Sequence, residues 1–128
     1  MNIEQNQSEI INEVASICFG NAVNKRFHDG DNCRMNVDNF ARWTANLHGE
    51  VSELWEAARK GDLNKPCDKA AFMEDQLGFS MTCAEEELAD IVIRAFDTAA
   101  AFGVNIGEAI AKKHAYNLTR PPMHGKLA

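Results

Sequence analysis

Two pairs of carboxylates carry the chemistry this sequence can offer: Glu50 and Glu53 in Glu50-Val51-Ser52-Glu53, and Glu87 and Asp90 in Glu87-Leu88-Ala89-Asp90. Both pairs are spaced i, i+3, which on a helix stacks two side chains on one face with Cβ atoms about 5–6 Å apart. Each pair also borders an apolar stripe, so packing the stripes together would bring four acids beside a buried seam. Ionised carboxylates in such a place raise one another's pKa and resist burial. A divalent cation removes the conflict. Ligation by oxygen alone suits a hard ion, Mg²⁺ or Mn²⁺, whose usual partners in enzymes are phosphates.

The elements that must position these acids are read from apolar periodicity. A first helix is expected from Ser8, as N-cap, to about Phe27, with Ile10, Ile11, Val14, Ile17, Cys18 and, more loosely, Ala22 and Val23 on its apolar face. His28-Asp29-Gly30-Asp31-Asn32-Cys33 is rich in turn residues and lacks the alternating ligands of a calcium loop, so it reads as a solvated connection. A second helix runs from about Asp38 to Lys60, with Gly61 as its stop. Phe40, Trp43, Leu47, Val51, Leu54 and Ala58 alternate steps of three and four along it and predict one continuous buried ridge. Glu50 and Glu53 border that ridge, and Glu56, one step further, reads either as a solvent-facing acid or as a fifth ligand. Gly49 lies inside this helix, where it costs roughly 1 kcal/mol relative to Ala and marks close packing or the close approach of a ligand.

From Gly61 to about Thr82 the pattern breaks around Pro66 and Gly78, and the stretch reads as a long loop, with a helical turn at Lys69 to Glu74, able to fold over the acids. A third helix starts at Cys83 or Ala84. Glu85, Glu86 and Glu87 fall in its first turn, at the positive end of the helix dipole, which is reason enough for Glu85 and Glu86. Leu88, Ile91, Val92, Ala95, Phe96, Ala99 and Phe102 form a wide apolar face that ends at Gly103. A fourth helix, capped by Asn105, spans about Ile106 to Leu118 and stops before Arg120-Pro121-Pro122. Ile106, Ile110, Lys113 and Asn117 share one of its faces, which aims a cation and an amide inward unless Lys113 snorkels to water. Arg120, His124 and Lys126 make the tail a short basic arm. No segment alternates with period two, and no glycine-rich phosphate loop, GxSxG or HExxH occurs, so the expected fold is an all-α, four-helix bundle-like domain.

The composition agrees with a single soluble domain over residues 1–128: 45% of the residues are hydrophobic and 25% charged. A formal net charge of −6 argues against binding a nucleic acid polymer through its backbone, while leaving room for a small anion held through metal. Cys18, Cys33, Cys67 and Cys83 are widely separated and form no zinc-ligand pattern. With neither a signal peptide nor an apolar run near 18 residues, the chain is expected to be cytoplasmic, off the membrane, with reduced thiols.

Three segments together carry a resemblance: Leu47-His48-Gly49-Glu50-Val51-Ser52-Glu53-Leu54-Trp55-Glu56-Ala57, Glu86-Glu87-Leu88-Ala89-Asp90-Ile91-Val92-Ile93-Arg94, and Lys113-His114-Ala115-Tyr116-Asn117-Leu118-Thr119-Arg120-Pro121. They resemble the motifs of MazG-like all-α nucleoside triphosphate pyrophosphohydrolases, over about Phe40 to Lys126. The resemblance implies a Mg²⁺-dependent enzyme, with Mn²⁺ as a substitute, that cleaves a nucleoside triphosphate between the α and β phosphates to give the monophosphate and pyrophosphate. It includes a house-cleaning role on non-canonical nucleotides among the roles it implies. It assigns metal binding and catalysis to Glu50, Glu53, Glu87 and Asp90, and places Lys113, Asn117 and Arg120 near the substrate. It also implies a homo-dimer or homo-tetramer, in which partner bundles cover apolar surface that four modest helices leave open. Relatives often carry a further Glu before the first ligand; Gly49 stands there in this chain, which leaves open the group that orients the attacking water. Trp43, Trp55, Phe79 and Tyr116 are candidates for contacting the base, with Trp43 better placed as core. Two other readings compete. A di-iron carboxylate bundle needs Glu-x-x-His on two helices, which the chain lacks. A catalytically silent helical module that binds nucleotide or protein is the alternative that Gly49 keeps open.

Overall fold

The computed structural model describes residues 1–28 and 37–127. It is all-α: α1 (Gln5–Asn24), α2 (Val37–Lys60), α3 (Ala70–Leu77), α4 (Cys83–Ala101) and α5 (Ile106–Leu118), followed by a short 3₁₀ turn at Pro122–Gly125. No strand occurs among the described residues. An isolated antiparallel bridge pairs Pro66 with Thr82. The turn expected at 28–33 lies, beyond His28, outside the described residues. Among those described, no helix is long and apolar enough to cross a membrane. The chain forms two compact units, Met1–Arg34 with Phe96–Ala128, and Met35–Ala95, and α4 contributes to both.

In the first unit α1 packs on α5. The cap of α1 is Glu4, not Ser8: the Gln7 side chain accepts from the Glu4 N–H at 2.8 Å, in a reciprocal capping box. Ser8 is buried instead, in line with Ala15 and Ala22, while Ile10 and Ile17, expected on the inner face, are exposed. The physical reason is proximity. A Cβ built on Gly107 would stand 2.0 Å from the Ser8 carbonyl oxygen, so the two backbones touch and only small side chains fit between them. Asn12 fastens the crossing. Its Oδ1 accepts from the Gly107 N–H at 2.8 Å, and its Nδ2 donates at 2.7 Å to Oδ1 of Asn105. That Asn105 oxygen also accepts from the Glu108 N–H at 3.1 Å and so caps α5, as its position in the sequence predicts. Further along, buried His28 and Asp97 meet at 2.6 Å, with the Phe19 ring edge-on to the imidazole.

The second unit holds α2, α3 and α4 as far as Ala95. The stretch expected as a long loop is more ordered than the sequence reading implies. Lys69 precedes the eight-residue helix α3, and Gly78, with φ of 76°, ends it in the left-handed conformation. Around the bridge, the Cys67 N–H donates to the Met81 carbonyl, and the Cys83 and Ala84 N–H groups donate to Lys65 and Leu63, each at 2.9 Å. These bonds tie the two ends of the segment together and place α4. Thr82 and Glu85 then make a reciprocal cap, at 2.7 and 3.2 Å, so Glu85 serves the helix terminus as expected. The α2 ridge is not continuously buried. Trp43 is buried, Leu47 and Leu54 are half-buried, and Phe40, Val51 and Ala58 are exposed. On α4, Leu88, Val92 and Ile93 are likewise exposed.

Candidate metal centre and its cleft

Helices α2 and α4 bring together three of the four predicted carboxylates. Oxygens of Glu50, Glu53 and Glu87 all lie within 4.8 Å of one another. Each helix supplies acids on the side that borders its apolar face, which is what the i, i+3 spacing provides. The Glu50 side chain is only 13% exposed, and Arg94 Nε donates to its Oε1 at 2.8 Å. Glu53 is exposed, and Glu87 is half-buried with its Oε2 shut away from solvent and without a hydrogen-bond partner among the described residues.

Burial and crowding work together on Glu87. Loss of water, then the charges of Glu53 and Glu86, a hydrogen bond with Glu53 and the charge of Asp90 raise its pKa to about 7. Asp90 is not one of the three converging acids. It belongs to the same electrostatic neighbourhood: burial, then the charges of Glu50 and Glu86, raise its pKa, against the opposing pull of Lys69 and Arg94.

These donors fit a hard divalent cation. The set is all oxygen, three of its members already converge, and one buried carboxylate oxygen lacks a partner that a cation would supply. A second acidic group, Cys67, Asp68 and Glu86, also converges within 4.8 Å, but the Lys69 ammonium sits on Glu86 and 3.6 Å from Asp68 and supplies positive charge there.

Beside Glu53 and Glu87 opens a cleft of about 400 Å³, lined also by Lys60, Asp62, Lys69 and Glu86. Glu56 lines it too, engaged by Arg59 at 3.1 Å and Lys60 at 3.4 Å, so it acts as a counter-ion to its own helix and not as a fifth ligand. Glu86 turns inward and is 7% exposed, more than a helix-dipole role requires.

Sequence reasoning missed Arg94, Glu86 and Lys69. Arg94 lies four residues after Asp90 and seven after Glu87, so helical spacing alone places it on the acidic face. No comparable signal marks Lys69, which reaches Glu86 through the fold of the 61–82 segment.

The remaining predicted residues lie in the other unit. Lys113 is exposed, its ammonium 4.7 Å from the centre of the Tyr116 ring, so the expected inward cation turns to water and to an aromatic face. With Ile3, Ile106, Ile110, His114 and Asn117 it lines a hollow of about 490 Å³. Asn117 keeps the inward orientation, with a buried Oδ1 that has no hydrogen-bond partner among the described residues. Arg120 folds back on the tail: its Nη2 donates to the His124 carbonyl at 3.1 Å, and its guanidinium lies 5.7 Å from the Tyr116 ring. Compared with protein-family models, with curated proteins and with solved structures, the chain matches none.

Proposed function

We propose that the cleft beside Glu50, Glu53 and Glu87 hydrolyses nucleoside triphosphates between the α and β phosphates, in the manner of the MazG-like enzymes its motifs resemble. The observation that carries this reading is the convergence of three carboxylates from two helices around a buried, partnerless Glu87 oxygen. A hard cation is the simplest partner for such a group, because crowded carboxylates oppose one another's ionisation and burial.

Glu50, Glu53 and Glu87 would hold Mg²⁺ or Mn²⁺, with Asp90 at the margin as a fourth carboxylate. When bound, such an ion neutralises charge on phosphate oxygens and acidifies water. Arg94 donates to Glu50 Oε1 and fixes that carboxylate beside the group. Crowding and burial raise the pKa of Glu87 to about 7 and that of Asp90 in the same direction, which a bound cation would relieve. The exposed apolar side chains of α2 and α4, Phe40, Val51, Trp55, Leu88, Val92 and Ile93 among them, are consistent with a homo-dimer or homo-tetramer. The proposed partners are a nucleoside triphosphate and further copies of the chain, with modified nucleotides among the substrates to test.

The test is pyrophosphate release from a panel of standard and modified nucleoside triphosphates with Mg²⁺. The expected products are a nucleoside monophosphate and pyrophosphate, lost in Glu53→Gln and Asp90→Asn. Absence of pyrophosphate from every substrate, or turnover surviving in both variants, overturns the reading.

A further inference from the structure

Six carboxylates and two lysines line the cleft beside the acidic centre, so an anion entering it meets repulsion unless cations stand ready on its walls. The two lysines are not equivalent. Lys60 pairs at 3.4 Å with Glu56, four residues back on the same helix, in the manner of a surface pair. Lys69 reaches across the fold to Glu86, 17 residues away on α4 and adjacent in sequence to Glu87. Glu86 is 7% exposed, whereas the Lys69 side chain is 58% exposed. The carboxylate is therefore the buried anchor, and the lysine is the part presented to the cleft.

An ammonium has three donors. One is spent on Glu86, and Asp68, at 3.6 Å, draws a second. The third is available to a ligand in the cleft, which Glu87 also lines. A lysine held in this way has lost much of its rotamer freedom before any ligand arrives, which reduces the ordering cost of binding.

We propose that Lys69 is a phosphate-binding residue of this cleft, held by Glu86 so that its ammonium meets a polyphosphate whose other oxygens face the cation held by Glu50, Glu53 and Glu87. The inference rests on the reading that the cleft takes a polyphosphate, and it adds a residue from the 61–82 segment that no motif marks. Glu86 acts as the positioning residue.

The test measures binding of inorganic tripolyphosphate with Mg²⁺ by calorimetry in the wild type, Lys69→Met, Glu86→Gln and the double variant Lys69→Met/Glu86→Gln. The double variant removes the buried charge together with its partner, so it keeps the test alive if Lys69→Met alone does not fold. Thermal melting checks folding, and Mn²⁺ binding read by electron paramagnetic resonance checks the acidic centre. Loss of one charge-assisted hydrogen bond predicts tripolyphosphate binding about 10- to 100-fold weaker in both variants lacking Lys69. Glu86→Gln frees Lys69 from its anchor and weakens binding by less than the loss of Lys69 does, and Mn²⁺ binding in the double variant, which changes no net charge, stays near that of the wild type. If the double variant binds tripolyphosphate like the wild type, Lys69 only neutralises Glu86 and the proposal falls, while the pyrophosphohydrolase reading stands. If the wild type binds Mn²⁺ but no tripolyphosphate, both fall together.

Discussion

Arg94 on α4 donates from Nε to Oε1 of Glu50 on α2 across 2.8 Å, with the arginine side chain 30% exposed and the glutamate 13%. The pair spans two helices at the acidic centre, and Arg94 contributes the opposing charge that limits the rise in the Asp90 pKa. It thus lets an acid-rich seam persist before any cation binds. Breaking a pair of this burial by removing one partner leaves an uncompensated carboxylate. Arg94→Met is therefore expected to lower stability by about 1–2 kcal/mol, a figure reduced from the fully buried case because both groups keep some contact with water. Urea denaturation with and without Mg²⁺ measures it. The variant is expected to gain more stability from Mg²⁺ than the wild type does.

Acidity at Glu87 gives a pH signature. Its pKa in the folded chain stands at about 7, well above that of an exposed Glu, and Asp90 shifts in the same direction. A carboxyl whose folded pKa is raised stabilises the fold in its protonated form. That contribution is complete below the unfolded pKa near 4.3 and is lost as pH rises through the folded value. In a chelator the melting temperature is thus expected to fall between about pH 5 and pH 8 by way of Glu87, with Asp90 acting in the same sense. Saturating Mg²⁺ should flatten the fall, since it favours the ionised carboxylates. Glu87→Gln should flatten it without metal. A slope that Glu87→Gln leaves unchanged would place the linked proton elsewhere.

What the sequence reveals depends on how local the determining contacts are. The i, i+3 acids and the helices that carry them follow from spacing along one element, so Glu50, Glu53 and Glu87 could be grouped in advance. Arg94 obeys the same periodicity and was legible in principle. Lys69 and Glu86 meet only because the bridge at Pro66 and Thr82 and helix α3 fold the intervening chain back. An eight-residue helix gives too little periodicity to be separated from a loop. Burial failed in the opposite sense: apolar periodicity names the face that seeks cover, and Phe40 and Val51 on α2 stay exposed although they lie on that face.

Gly49 shows the difference between a sequence signal and its cause. A glycine inside α2, next to a ligand candidate, suggests a backbone that something must approach. In the structure a Cβ at this position meets nothing within 4 Å among the described residues. Its only remaining effect on the fold is the helix-propensity cost. Gly49→Ala is expected to stabilise the protein by about 0.5–1 kcal/mol, read as a higher urea midpoint with an unchanged slope. Mn²⁺ affinity should not move, because the substitution adds neither charge nor donor. A loss of stability would show that the position is crowded after all.

Gly107 is the opposite case, and the comparison is within the same molecule. Here the added Cβ would lie 2.0 Å from the Ser8 oxygen and 2.7 Å from its carbonyl carbon. Both are backbone atoms of α1, which cannot rotate away as a side chain would, so α1 and α5 must separate. Separation also stretches the 2.8 Å bond from the Gly107 N–H to Asn12 Oδ1 and the 2.7 Å bond from Asn12 to Asn105. Overpacking alone costs about 1–3 kcal/mol, and a loosened, partly buried hydrogen bond adds up to about 1 kcal/mol. Gly107→Ala is expected to lower the melting temperature by several degrees, and Gly107→Val by more. Asn12→Ala isolates the second contribution, because it removes the hydrogen bonds and leaves the backbones free to touch. Additivity separates the two causes: if crowding at Gly107 already breaks the Asn12 bonds, Asn12→Ala combined with Gly107→Ala costs less than the sum of the single losses.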